Sequence, residues 1–458
     1  MAGAVGVGVP LVVLAVLIAL GVSSWNRGEL NRFICDGDCG PANVIAPVGL
    51  VSEPAPTVPV PRVAASGSVD PAKLAAAVTP RLGGSALGSR VGFTAISPDG
   101  TELFASGKGA FAPASTTKLL TSFAALGTID PGTRFATRVV STGGGIVLVG
   151  GGDPYLATKR PDAKDRVQRA DLTTLARRTA SALKKAGTTS VSLGYDASLF
   201  TGPDASPTWE PGYVSDNIVT PISALWADEG VAGGIRARDP AAAAARTFAG
   251  LLAERGITVD GDPAATVAPA GAEVVGTVRS APLAQIVETL IRVSDNAASD
   301  VVLRHVAIAA GRPATFEGGT AAVVAALESA GVDTSGLKLY DGSGLSRDNR
   351  ITPRTLVQTL RAALAGPRTS ALLADLPVSG FTGTLVGRFA QIPAARGSVR
   401  AKTGTLSGIH SLAGYAVDAD GSPVIFAVMT DRADKDAPFQ AQAALDQVAA
   451  AIATCPCG

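Results

Sequence analysis

"APASTTKLL", residues 112–120, sets a serine and a lysine three positions apart, behind a proline and ahead of an apolar run. In a helix, Ser115 and Lys118 share one face, with Cβ atoms roughly 5–6 Å apart. An amine at that distance can take the hydroxyl proton. The plainer alternative is a helix N-terminus whose serine caps and whose lysine points to water. Ser-x-x-Lys occurs three times, so spacing alone does not choose. Ser181 and Lys184 lie among Arg177, Arg178 and Lys185 and read as a solvated face, and Ser335 and Lys338 sit in a glycine-bearing turn. Only Ser115 opens an apolar helix that a core would bury. Burial matters because an exposed lysine keeps a pKa near ~10.4, and desolvation is what makes it a base at neutral pH.

Two further motifs lie downstream. Ser-Asp-Asn occurs at 215–217 and again at 294–296. The first copy lies among Trp209, Pro211, Tyr213 and Pro221. The second stands between two helical segments, "LAQIVETLIRV" and "SDVVLRHVAIAA", where a short turn aims Ser294 and Asn296 into a cleft. The second copy is the stronger candidate; the plain reading of either is an Asx turn or N-cap. Lys402-Thr403-Gly404-Thr405 occurs once. A strand carrying glycine there admits close approach of a substrate backbone, and Lys402 with the two threonine hydroxyls suits a carboxylate. Its plain reading is an edge strand.

The rest of the chain bounds the possibilities. Its 458 residues are 47% hydrophobic and 17% charged, enough for a large core in more than one domain. A net charge of +1, with no dense basic cluster, argues against nucleic-acid binding. Residues 2–22 carry no charge and read as a membrane anchor or a cleaved signal peptide, the domain 1–24. The first arginine, Arg27, lies after that segment, which by the positive-inside rule is the wrong side for exporting the remainder of the chain. A Pro-rich tether over 25–68 comes next.

Hairpin, helix and strand signals on 69–141 and on 276–458 bracket a Gly- and Pro-bearing region, 142–275, read as inserted smaller domains. Strands from both ends with helices between them predict an α/β fold of α+β type, an antiparallel sheet flanked by helices and closing across the termini. Four cysteines sit at the extremes, Cys35 and Cys39, Cys455 and Cys457. A Cys455 to Cys457 bridge over Pro456 reads as strained. Two bridges joining the N-terminal segment to the C-terminal tail are therefore expected, ahead of a four-thiolate zinc site.

The three motifs, in this order on helix, interhelical turn and strand, resemble those of the serine acyl-transferases that include penicillin-binding proteins and class A β-lactamases. With "GGDPYL" at 151–156, "PISAL" at 221–225, "YDGSGLSRDNRITP" at 340–353 and "GFTGTLVGRF" at 380–389, the chain resembles the class C low-molecular-mass penicillin-binding proteins, the D-alanyl-D-alanine carboxypeptidase/endopeptidase family of penicillin-binding protein 4 type. The resemblance covers about 70–452. It implies a transpeptidase/β-lactamase-like domain with Ser115 as acylated nucleophile and Lys118 as its base. Ser294 relays a proton to the leaving D-alanine, and Asn296 positions Lys118 and the substrate amide. Lys402, Thr403, Gly404 and Thr405 hold the terminal carboxylate, and the N–H groups of Ser115 and Thr405 form an oxyanion hole. Ser343 and Gly344 border the cleft, and Asp153 contacts the substrate side chain.

The implied partners are peptidoglycan stem peptides and β-lactam inhibitors, with the N-terminal segment at a membrane, outside the cytoplasm. No metal or cofactor is implied. His305 and His410 are the only histidines, and no Gly-x-Ser-x-Gly elbow accompanies them, so a Ser-His-Asp triad is disfavoured. No Glu-x-x-Leu-Asn segment comes after the second motif, so a slowly hydrolysed penicilloyl-enzyme is expected. A β-lactam or D-amino ester hydrolase, and an inactive wall-binding scaffold, are the alternatives.

Overall fold

The computed structural model describes residues 68–162, 167 and 169–458. The expectations for the anchor, the tether and Cys35 and Cys39 fall on residues outside the described ones. Among the described residues no helix is long and apolar enough to cross a membrane.

Helix α1 (Pro71–Leu82) starts where Asp70 accepts the Ala72 N–H at 2.8 Å and a proline occupies the first turn. Strands β1 (Val91–Ile96) and β2 (Glu102–Ser106) form a hairpin. The Ser115 segment is not one continuous helix: a 3₁₀ turn (Ala114–Thr116) leads into α2 (Thr117–Thr128). Residues 117–126 of α2 are buried on every side, so the helix runs through the core and carries Lys118 in with it.

A second, six-stranded sheet comes next, its longer strands β3 (Ala136–Thr142), β4 (Gly145–Val149), β5 (Ser190–Asp196) and β6 (Val274–Arg279) in the order β6-β3-β4-β5, with two short strands (Thr258–Val259 and Ala264–Ala265) beside β5 and with α3 (Leu172–Lys185) and α4 (Pro240–Ala253) packed on it. It reaches beyond the expected 142–275 at both ends, because β3 and β6 pair antiparallel and so begin and end the excursion side by side. Pairing of β4 with β5 is parallel, since α3 supplies the crossover that a parallel pair needs.

The chain then runs through α5 (Leu283–Val293), α6 (Asn296–Ala309), α7 (Phe316–Ser329) and α8 (Pro353–Ala365) to β7 (Val399–Leu406), β8 (Ile409–Val417), β9 (Pro423–Thr430) and α9 (Pro438–Ala453). The main sheet has the order β7-β8-β9-β1-β2, antiparallel throughout. Every residue of β9 is buried. Ile425, Ala427 and Met429 face a core made with α2, α5, α6 and α8, while Val424, Phe426 and Val428 face α1 and α9. Each such aliphatic or aromatic side chain contributes about 1.5–3 kcal/mol on full burial.

The tail departs from expectation. Cys455 and Cys457 are bonded to each other. Their Cα atoms are 5.1 Å apart, an ordinary spacing for a disulfide, so the intervening proline does not prevent closure. The Cys455 and Cys457 carbonyls accept from Ala419 N–H and Asp70 N–H, tying the tail to the β8–β9 turn and to the cap of α1.

Candidate active site

Ser115 owes its position to a locked turn. Ala114 before it has φ +48°, a left-handed conformation unfavourable for a residue with a Cβ. Thr116 and Thr117 donate their hydroxyls back to the carbonyls of Pro113 and Ala114 at 2.8 and 2.9 Å, and Ser411 of β8 donates to Pro113 O at 2.6 Å. Gly344 packs on the same turn at φ +87°, where an added Cβ would lie 1.9 Å from Ala114 O.

Lys118 is fully buried and its Nζ has three neighbours: Ser115 Oγ at 2.9 Å, Asn296 Oδ1 at 2.7 Å and Ser343 O at 2.6 Å. Burial pulls its pKa down to about 8, against the upward pull of Asp300, Asp341 and Asp295. A neutral amine has two N–H donors and one lone pair. The fixed carbonyl oxygens of Asn296 and Ser343 take the two donors, which leaves the lone pair aimed at the Ser115 hydroxyl.

The second Ser-Asp-Asn copy joins two helices. Ser294 ends α5 in the left-handed region, φ +63°, and Asp295 caps α6 by accepting the Ala298 N–H at 2.9 Å. The capping reading therefore holds for Asp295, while its neighbours on either side point elsewhere. Ser294 Oγ accepts from Lys402 Nζ at 2.7 Å. Lys402 also donates to Thr403 O at 2.8 Å, and Thr403 Oγ1 donates to Thr384 Oγ1 at 2.9 Å. Burial, and secondarily the charge of Lys118, hold the Lys402 pKa well below its ordinary value. Gly404 abuts the Ser115 amide: a Cβ there would stand 3.1 Å from Ser115 N and 2.6 Å from Pro113 O. Thr405 is exposed at the end of β7.

Ser115, Lys118, Ser294, Asn296, Lys402, Thr403 and Gly404 thus belong to one connected set. Ser343 and Gly344 are both buried, touching Lys118 and the Ala114 turn, in a 341–344 turn held by internal carboxylates. Asp153 is buried, accepts the Tyr155 N–H at 2.9 Å and has Oδ2 unpartnered, and burial raises its pKa to about 7.

The rival copies lie elsewhere in character. Ser181, Lys184, Ser335, Lys338 and the whole 215–217 motif are not buried. His305 is a core residue stacked on Phe135, with Nε2 2.8 Å from Gly152 O and its pKa pulled to about 4 by burial; His410 is buried in β8. Among the described residues no group of three or more His, Cys, Asp or Glu is arranged to hold a metal ion.

Sequence reasoning misses Asp300 and Asp341. Asp341 accepts from Trp209 Nε1, Gly344 N, Ser346 N and Asn349 Nδ2 at 2.6–2.9 Å. A signal for Asp300 does exist, since Asn296 and Asp300 are four apart in α6 and share a face.

The D-Ala-D-Ala carboxypeptidase 3 (S13) family matches residues 72–233 and 231–452, together most of the chain. The chain belongs to this family. It is 38% identical over 367 residues to Carboxypeptidase Rv3627c of Mycobacterium tuberculosis, covering 75% of this chain and 76% of that protein. With Carboxypeptidase DacB of Mycolicibacterium smegmatis the identity is 35% over 407 residues, covering 84% and 85%. The fold is that of penicillin binding protein 4 from Haemophilus influenzae: TM-score 0.69 at 23% identity, over 82% of this chain and 98% of the other. As an S13 member the protein is a serine-type D-Ala-D-Ala carboxypeptidase acting on peptidoglycan.

Proposed function

We propose that Ser115 is the nucleophile of this carboxypeptidase and that Lys118, in its neutral form, removes the hydroxyl proton as Ser115 attacks the penultimate D-alanyl carbonyl. Ser294, hydrogen-bonded to Lys402, passes a proton to the nitrogen of the departing D-alanine. Asn296 holds Lys118 and the substrate amide. Water then hydrolyses the acyl-enzyme by the same base. The observation behind this assignment is the triple contact of Lys118 Nζ with Ser115 Oγ, Asn296 Oδ1 and Ser343 O. An inert scaffold has no evident need of a buried lysine in hydrogen-bond contact with a serine.

Lys402 supports the substrate end of the reading. It is fully buried, and among the described residues no carboxylate pairs with it. A C-terminal carboxylate bound beside Thr403 and Thr405 supplies the missing counter-charge, favouring peptides that end in a free acid. Cleavage of D-alanyl cross-links uses the same chemistry with a longer leaving amine. β-Lactams acylate Ser115 and leave slowly. We assign residues 69–141 and 276–458 to one catalytic domain and 142–275 to the insertion, whose sheet also takes in β3 and β6 at the two junctions. Residues 1–24 hold or deliver the enzyme at the outer face of the membrane.

Intact-protein mass spectrometry after benzylpenicillin tests the assignment. A stable adduct in wild type and in Ser181→Ala, absent in Ser115→Ala, is the expected result. An adduct that survives Ser115→Ala refutes it. No adduct with the drug intact favours the scaffold, and no adduct with the drug consumed favours the lactam hydrolase.

A further inference from the structure

Below Lys118 lies a second buried carboxylate with no part in proton transfer to or from the substrate. Asp300 is fully buried on α6, one turn beyond Asn296. Its Oδ1 accepts the Gly342 N–H at 2.7 Å, while its Oδ2 has no hydrogen-bond partner. The carbonyl of Gly342 is gripped as well, by Ser299 Oγ at 2.8 Å and Thr121 Oγ1 at 2.9 Å. The next carbonyl along the chain, Ser343 O, is the one that accepts from Lys118. Asp300 therefore anchors the turn at its 341–342 peptide, two peptide units before the carbonyl that accepts from Lys118.

An unpaired oxygen on a buried carboxylate is costly unless a charge nearby needs it. The charge nearby is that of Lys118. Three acidic residues act on Lys118, and Asp300 leads them, ahead of Asp341 and Asp295. Asp341 has both oxygens occupied by four donors, and Asp295 spends Oδ1 on its cap. Among the three, Asp300 keeps a buried oxygen with no hydrogen-bond partner, and besides Lys118 and the Gly342 N–H only the nearby Ser343 hydroxyl eases its negative charge. Arg304, one turn further along α6, donates its terminal nitrogens to the carbonyls of Thr201, Pro203 and Ala314, leaves Nε unpartnered and also feels the Asp300 charge, while Lys402 in turn feels the charge of Lys118.

Resting on the assignment of Lys118 as base, we propose that Asp300 is a positioning residue for it, clamping the 341–344 turn beneath Lys118 and setting through its charge how readily the lysine gives up its proton. Burial, with the charge of Asp341 behind it, pushes the Asp300 carboxyl up, and burial pulls the Lys118 ammonium down, so each group's proton depends on the charge of the other. The negative form of Asp300 keeps Lys118 protonated, and the neutral form releases it to act on Ser115.

The test is the pH dependence of the benzylpenicillin acylation rate in wild type, Asp300→Asn and Asp300→Ala. Asparagine keeps an acceptor for Gly342 N–H and removes the charge. Its acidic limb is expected to move down by about one pH unit, giving roughly tenfold faster acylation at pH 6 relative to each protein's own maximum. Alanine removes charge and clamp together, so the same displacement comes with a lower maximum. An unmoved limb in folded Asp300→Asn, with a normal or reduced maximum, makes the residue a structural clamp only and overturns the electrostatic half; an unchanged maximum in Asp300→Ala overturns the clamp.

Should neither variant fold, infrared spectra of wild type and Lys118→Met across pH decide. The protonated-carboxyl band of Asp300 must persist to higher pH without the lysine, and coincident titrations overturn the proposal. Failure of wild type to acylate at Ser115 would instead refute the proposed function, a result read separately by mass.

Discussion

Lys402 Nζ lies 2.7 Å from Ser294 Oγ, joining residues 108 positions apart in the chain. Neither side chain touches Lys118 in the way that Asn296 does, and in the proposed mechanism the two pairs, Ser115 with Lys118 and Ser294 with Lys402, divide the work of taking and giving a proton. Ser294→Ala is expected to lower kcat for release of D-alanine by 10²- to 10⁴-fold, the usual range for loss of a proton-transfer group. Its KM should change little. Lys402→Met should instead raise KM most for peptides with a free C-terminal carboxylate, and an amidated peptide should lose that discrimination. Steady-state assays on the acid and the amide separate the two roles.

The pH profile carries the sign of the Lys118 shift. Burial depresses this lysine to about 8, and in the proposed mechanism the neutral form is the active one. Acylation by benzylpenicillin should therefore rise tenfold per pH unit below about 8 and level off above it. A base at its ordinary value would keep the rate climbing toward pH 10. Stopped-flow acylation rates between pH 5.5 and 9.5 read this directly.

Gly344→Ala should be among the most damaging single-methyl additions in the molecule. The residue sits at φ +87° and its new Cβ would meet Ala114 O at 1.9 Å, so either the 341–344 turn or the turn carrying Ser115 must move. A loss of about 1–3 kcal/mol from the backbone conformation alone is expected, with acylation falling by more than ten-fold. Thermal unfolding and adduct formation, measured on the same preparation, reveal whether both change together.

Reducing the Cys455–Cys457 bridge should matter little to catalysis. The closed loop is very short, so the constraint it places on the unfolded chain is worth roughly 1.5 kcal/mol. The tail also holds by hydrogen bonds, including Lys73 Nζ to Gly458 O at 2.8 Å. A double Cys455→Ser, Cys457→Ser variant should unfold a few degrees lower and acylate at the wild-type rate. A large loss of activity would mean that the tail supports the site through the main sheet.

Much of this site is legible along the chain because its chemistry is packed into short motifs. Ser115 and Lys118 are one turn apart, and the other two motifs each span a few residues, so finding them needs no long-range knowledge. Choosing among the repeats needs only the apolar run after Ser115, which forces Lys118 into the core. Reading fails where function depends on what meets across the fold. A serine side chain suggests the rim of a cleft for Ser343, whereas its carbonyl oxygen is what Lys118 uses. Asp300 and Asp341, the latter inside the 340–353 stretch, have no role that the sequence itself announces and gain their meaning only when α6 and the 341–344 turn close under α2. The cysteines mislead for a different reason: the proline between Cys455 and Cys457 suggests strain, yet the Cα spacing is ordinary. Parallel pairing of β4 with β5 is hidden too, because the strands themselves carry no sign of orientation and the crossover helix decides it.

The main sheet joins the two ends of the described chain. Arg90, just before β1, pairs with Asp431, just after β9, across 341 residues, and Thr430 Oγ1 donates to Leu87 O across 343. The β1–β2 hairpin can pair with β9 only once the last three strands have left the ribosome and any export channel. Contacts of such high sequence separation form late and slowly. Lys402 travels on β7 and Ser115 on the segment after β2, so a half-made chain carries the proposed nucleophile without the strand that faces it, and on that assignment hydrolytic capacity arrives only with the finished polypeptide.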